Sequence, residues 1–258
     1  MDLPGGSIFL SSEKRAPISL SDINGEMELE LWEAVNRPIP RNDIICHLLD
    51  HLFDLGEHGE ARNLCEADHV YLLSKALVHQ GVETKWITGT CQHCSALFDV
   101  SLNLANLPLK PKANSYPKFE FEFENIKYTG RIPSIADINS ANELADYDLA
   151  IKKMVRLCLD NDVPEDNALE RLLPLINQAI EEIVPEIATS IEVNCPDCGK
   201  QNSIFLDLGS YCTNNLSNPL EDIHELASHY HWHEQDILQL PKARRQAYLD
   251  LIDAQKRH

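Results

Sequence analysis

Apolar residues recur along this chain in two rhythms, one near 3.6 residues and one of two, and the changes of rhythm mark the predicted elements. Residues 1–24 carry no helical period. Leu3-Pro4-Gly5-Gly6 is turn-like, and Ser7-Ile8-Phe9-Leu10 with Ile18-Ser19-Leu20 predicts a short hairpin or extended arm. Asn24-Gly25 then turns the chain into Glu26-Met27-Glu28-Leu29-Glu30-Leu31-Trp32, an acidic helix whose glutamates read as a solvated face. After the break at Arg37-Pro38-Ile39-Pro40, Asp43 caps a helix with one apolar stripe, Ile44, Ile45, Leu48, Leu49, Leu52 and Phe53, closed by Gly56 and Gly59. A further helix starts at Glu66-Ala67-Asp68, carries Val70, Leu72, Leu73, Ala76 and Leu77, and stops at Gly81.

From Thr84 to Leu104 the pattern becomes strand, turn, strand, and Leu107–Lys112 leaves it as a loop. Phe119-Glu120-Phe121-Glu122-Phe123 alternates strictly, as a half-buried strand does, and Lys127–Pro133 predicts its antiparallel partner. The phenylalanine face requires a cover. Helical spacing returns at Ser134 with Asp137 near the start, and again over 143–159. Pro164 separates that run from Ala168–Leu173, and Pro174 interrupts or begins a helix through Ile176, Ile180 and Ile183. Pro185 hands over to another strand. The last segment predicts helices over Leu220–Tyr230 and Glu234–Leu238, then a third with Pro241 at its first position, a helix-turn-helix-like unit anchored by Trp232. The expected fold class is therefore α+β, mainly helical. Its expected parts are an arm and helical region over 1–82, a β unit over 83–210 with an insertion at 105–190, and a C-terminal helical segment over 211–258.

Candidate chemistry sits inside the β unit. Thr90-Cys91-Gln92-His93-Cys94-Ser95 and Asn194-Cys195-Pro196-Asp197-Cys198-Gly199 each hold two cysteines two residues apart between strand-like runs. Such a tight turn aims two sulfurs at one point, and two turns supply the four thiolates of a tetrahedral site. Gly199 allows a positive φ in the second turn, and Pro196 stiffens it. The pattern predicts a split zinc ribbon in which Cys91, Cys94, Cys195 and Cys198 bind a structural Zn²⁺. Ordinary reduced thiols or a thioredoxin-type redox pair are the alternatives, although the redox pair needs a cysteine pair opening a helix, and both pairs here run into strands. The scattered Cys46, Cys65, Cys158 and Cys212 suit a reducing compartment. His47 and His51 stand four apart on a helix, but no carboxylate motif accompanies them, so they read as interhelical or surface residues. His229, His231 and His233 read as packing or hydrogen-bonding groups.

The net charge of −19 disfavours nucleic acid as a partner, because a polyanion is held by cationic side chains that displace its counterions. Lys242, Arg244 and Arg245 form a small local basic patch that could escape this argument. No apolar run approaches a membrane span, and Met1-Asp2-Leu3-Pro4-Gly5-Gly6 lacks the features of a signal peptide, so the expected location is the cytoplasm. At 258 residues the chain can form one complex domain or two small ones.

Several stretches also recur in a known order: Leu3-Pro4-Gly5, Leu20-Ser21-Asp22-Ile23-Asn24-Gly25-Glu26, and Ala67-Asp68-His69-Val70-Tyr71-Leu72-Leu73. They are followed by both cysteine pairs, Arg131-Ile132-Pro133-Ser134-Ile135-Ala136-Asp137, the run from Ile223 to Leu238, and Leu240-Pro241 with Arg244–Leu249. In these the sequence resembles the baseplate proteins of contractile phage tails and related particles, which include the T4-type baseplate hub assembly chaperone. The resemblance implies a non-enzymatic role in building the baseplate or hub, with hub, spike or wedge proteins as partners. It also implies a place in the bacterial cytoplasm or in a phage-like particle. A zinc-ribbon nucleic-acid-binding regulator is the alternative. A zinc hydrolase using Cys91, Cys94 and a histidine such as His93 is weaker still: no His-Glu-x-x-His, nucleophile elbow or Gly-rich phosphate loop is present.

Overall fold

The computed structural model describes residues 1–9, 18–21, 24–79, 81–162, 166–214 and 218–256. Residues 10–17 of the expected hairpin or arm, Asp22-Ile23 of the first turn and the Pro164 break lie outside the described residues, while Ser19–Leu20 of that hairpin or arm pairs with Phe53–Asp54. In chain order the first elements are β1 (Ser19–Leu20), α1 (Gly25–Val35), α2 (Arg41–Leu52), β2 (Phe53–Asp54) and α3 (Glu66–His79). Strands β3 (Thr84–Thr90), β4 (Leu97–Asn103), β5 (Leu109–Lys110), β6 (Lys118–Phe123) and β7 (Ile126–Arg131) follow. Next come α4 (Ile135–Asn142), α5 (Tyr147–Cys158), α6 (Asp166–Ile183), β8 (Glu186–Ile187), β9 (Ser190–Asn194) and β10 (Gln201–Phe205). The chain closes with α7 (Leu208–Asn214), α8 (Pro219–Tyr230), α9 (Glu234–Leu238) and α10 (Lys242–Lys256). Helices and small two-stranded antiparallel sheets thus share the chain, as an α+β class requires. The chain forms two compact units, one of Met1–Ile18 with Leu55–Leu208 and one of Ser19–Asp54 with Gly209–His258.

The first unit is built over α6. Leu169, Leu172, Ile176, Ala179 and Ile183 follow a 3-4-3-4 spacing, all buried, in one core with Phe119, Tyr128, Ile132 and Val155. That stripe carries the helix straight through Pro174, where an interruption or a new start was expected. A proline inside a helix costs a hydrogen bond and some strain, and burial of apolar residues on both sides of it outweighs that cost. The same helix face covers the aromatic side of the β6–β7 hairpin, where Phe121 stacks on Tyr128 at 5.3 Å between ring centres. The run over 143–159 is helical only from Tyr147, because the Asp146 side chain caps α5 by accepting from the Leu149 N–H at 3.0 Å. The expected loop over Leu107–Lys112 contains β5, paired with β8 through Leu109 and Ile187.

The N-terminal arm is held in this unit by α3. Buried Asp68 accepts from the N–H groups of Gly5 and Gly6 at 2.7 and 2.8 Å, while the Tyr116 hydroxyl donates to the Gly6 carbonyl at 2.9 Å. Asp137 makes a capping box with Ser134 at the start of α4, and Arg131 grips its two oxygens at 2.6 and 3.0 Å. Burial opposes the charge of Asp137, but Arg131 and Ser134 outweigh it and hold the carboxyl below its usual range.

In the second unit, α8, α9 and α10 pack around Ile223, Leu226, Ile237, Leu238, Leu249 and Ile252. Trp232 stacks on Tyr230 at 4.8 Å and meets Tyr248 edge-on at 4.9 Å, as its expected anchoring role demands. Pro241 stands just before α10, its carbonyl accepting from the Arg244 and Arg245 N–H groups, rather than at the first helical position. Two expectations change here. Glu28 is buried rather than part of a solvated face, and Arg245 is only 1% exposed rather than part of a basic surface patch. The two side chains pair with each other, and Lys242 reaches the same carboxylate at 3.1 Å. Of the three basic residues, two are thus engaged with Glu28.

Candidate metal centre

Two hairpins of the first unit present the cysteines. In β3–β4 the register runs from Thr84 opposite Asn103 to Thr90 opposite Leu97, and in β9–β10 from Ser190 opposite Phe205 to Asn194 opposite Gln201. The cysteine pairs fill the turns, and the two turns have the same backbone pattern. The Cys91 N–H donates to Ala96 O at 2.8 Å and the Ser95 N–H to Cys91 O at 2.9 Å. The Cys195 N–H donates to Lys200 O and the Gly199 N–H to Cys195 O, both at 2.9 Å. The residue after each second cysteine has positive φ, +70° at Gly199 and +62° at Ser95. Glycine suits that conformation, so the second turn was legible, whereas the first adopts it with a serine at some local cost.

The hairpins close on each other through a small core of Cys91, Phe98, Cys195 and Ile204. A Cβ at Gly89 would stand 2.5 Å from Ile204 Cδ1, so glycine in β3 lets the second hairpin approach. Asn202, buried on β10, accepts from the Gln92 N–H at 3.0 Å and donates to Lys200 O at 2.8 Å, tying the first turn to the second.

All four predicted cysteines converge. Their sulfurs lie within 4.8 Å of one another and can hold a metal ion. Across the hairpins, Cys91 Sγ and Cys198 Sγ are 3.7 Å apart, as are Cys94 Sγ and Cys195 Sγ. A disulfide needs about 2.05 Å. A tetrahedral thiolate shell with bonds of about 2.3 Å to zinc places neighbouring sulfurs about 3.8 Å apart, which the observed edges match. Electrostatics agree. Burial disfavours a thiolate at Cys91, yet the N–H groups of His93 and Cys94 hold its thiol down to about 6. The Ala96 N–H draws Cys94 the same way, but the neighbouring sulfurs push it up to about 12. Four sulfurs this close cannot all ionise unless a cation sits among them.

A family model described as the T4 bacteriophage base plate protein matches residues 12–211. The chain belongs to the T4 bacteriophage base plate protein family. No curated protein and no solved structure matches it. The base plate match spans both cysteine turns, the Asp68 anchor and the Arg131–Asp137 cap, and it ends before α8, so the stretch from Ile223 to Leu249 lies outside it. No helix among the described residues is long and apolar enough to cross a membrane.

Two functional details of this base plate chain escaped sequence reasoning. Asn202 carries the hydrogen bond that joins the turns, and an isolated asparagine in a strand gives no signal of that. Gly89 stands at a close approach that only the folded hairpins define.

Proposed function

We propose that this chain is a non-enzymatic structural adaptor or assembly factor of a contractile-tail baseplate, in which Cys91, Cys94, Cys195 and Cys198 bind one structural Zn²⁺. The family match over residues 12–211 supports the baseplate role. The cysteine geometry carries the zinc assignment: four sulfurs within 4.8 Å of one another, two of their edges 3.7 Å, suit a tetrahedral shell that leaves no position for water or substrate. Zinc there closes residues 105–190 between its two hairpins, much as a disulfide would in an oxidising compartment. The chain's own part is to fix the sulfurs beforehand. Backbone N–H groups stabilise thiolate at Cys91, and the Asn202 bridge sets the two turns face to face. The partners in this reading are hub, spike or wedge proteins of the baseplate.

Mass spectrometry of purified particles tests the role. Presence of the chain in finished baseplates supports a permanent adaptor. Its absence, together with failed baseplate assembly on deletion, supports an assembly factor. Normal particles without the chain refute both.

A further inference from the structure

In the second unit, a carboxylate from one helix meets two imidazoles from the next. His47 and His51 lie one turn apart on the same face of α2, with ring centres 4.1 Å apart, and α1 places Glu30 over them. Glu30 Oε1 is 3.6 Å from His47 Nε2, and Glu30 Oε2 is 3.3 Å from His51 Nε2. The three ligand atoms lie within 4.8 Å of one another. We propose that Glu30, His47 and His51 form a second metal site, for an exchangeable divalent transition-metal ion of the zinc class.

Three observations support it. First, both nitrogen–oxygen distances exceed the usual 2.7–3.2 Å of an N–H···O hydrogen bond. They fit the edge of a coordination shell instead: ligands about 2.1 Å from a tetrahedral zinc stand about 3.4 Å apart. Second, His51 Nδ1 lies 2.9 Å from the His47 carbonyl oxygen. A carbonyl only accepts, so Nδ1 carries the proton, and in the neutral ring this leaves the Nε2 lone pair facing Glu30, the orientation that a ligating histidine takes from an outer hydrogen bond. Third, two imidazoles and one carboxylate are the donor set that suits zinc, copper and nickel ions. The side chains of His47, His51 and Glu30 are 38%, 35% and 55% exposed, so water completes the shell and the ion exchanges with solvent. This site differs from the four-cysteine centre in donor type, openness and unit. Filling it would staple α1 to α2, and it does not depend on the cysteine centre holding zinc.

The test is calorimetric titration of the full chain with Zn²⁺ at about pH 7.5, after a mild chelator has removed loosely held metal. Wild type is expected to take up one further equivalent and to melt at a higher temperature with Zn²⁺ present. In Glu30→Gln/His51→Ala, affinity for that equivalent should fall at least about tenfold, with circular dichroism unchanged and the tightly held metal retained. His47→Ala/His51→Ala should lose it as well. The proposal is overturned if wild type takes up no further equivalent at millimolar zinc, or if both double variants bind it with wild-type affinity.

Discussion

Removing Glu28 should destabilise the second unit more than almost any other single change outside the apolar core. Its carboxylate is 9% exposed and receives Arg245, whose side chain is 1% exposed, together with Lys242 at 3.1 Å. Arg245 Nη1 also donates to Leu240 O at 2.6 Å, the one other hydrogen bond of the guanidinium among the described residues. Burial lowers the Arg245 pKa, a sign that its charge is poorly solvated. In Glu28→Ala the buried cation keeps one neutral acceptor, and breaking such a pair costs about 3–5 kcal/mol. With a urea slope of about 1–3 kcal/mol/M, the midpoint should drop by about 2 M. Tryptophan fluorescence is a suitable probe, because Trp32 and Trp232 lie in this unit while Trp86 is 65% exposed in the other. Glu28→Met/Arg245→Met should recover to within about 1 kcal/mol of wild type, since apolar residues of similar volume commonly replace a buried pair at little cost. A loss below about 1 kcal/mol in Glu28→Ala, or additive effects in the double variant, would refute a desolvated pair.

Two neighbours on α3 should give pH dependences of opposite sign. Burial raises Asp68 from 3.8 to about 6 against the Gly5 and Gly6 N–H groups, so its contribution to stability is greatest at acid pH and is lost as pH rises through 6. Burial also lowers His69 from 6.5 to about 4, while its Nε2–H donates to Ala61 O, so its contribution is present above pH 6.5 and is lost as pH falls towards 4. Each shift is worth up to about 3 kcal/mol. The cost of Asp68→Asn should therefore grow on acidification from pH 7 to 4 and that of His69→Gln should shrink, both read by urea unfolding; parallel profiles would contradict the assignment. Gly89→Ala drives a methyl into Ile204 Cδ1 and should weaken metal retention in a chelator competition, with Gly89→Ala/Ile204→Val restoring part of it. Unchanged retention in Gly89→Ala would show that the hairpins tolerate a wider gap.

The parts of this molecule that were legible from sequence are those whose cause is local. A tight turn with two cysteines, flanked by strand-forming residues, forms the same way wherever it lies, so all four sulfurs could be named before their meeting was seen. The strict alternation of Phe119, Phe121 and Phe123 and the Trp232 anchor are local signals too. Long-range partners were hidden. Glu28 looks like a solvated acid and Arg245 like a surface cation until the chain brings positions 28 and 245 together. His47 and His51 read as a pair without a carboxylate motif because the carboxylate that meets them, Glu30, comes from the preceding helix. Pro174 misled for a related reason, since its local cost was visible and the buried stripe that outweighs it was not.

X-ray absorption at the zinc edge, on protein freed of exchangeable metal, tests the cysteine centre most directly. The account predicts one retained zinc per chain, surrounded by four sulfurs at about 2.3 Å with no nitrogen or oxygen neighbour, and Cys195→Ser losing both that zinc and thermal stability. A retained metal with mixed sulfur and nitrogen or oxygen ligands, or a folded wild-type protein that retains none and melts at the same temperature with and without zinc, would contradict it.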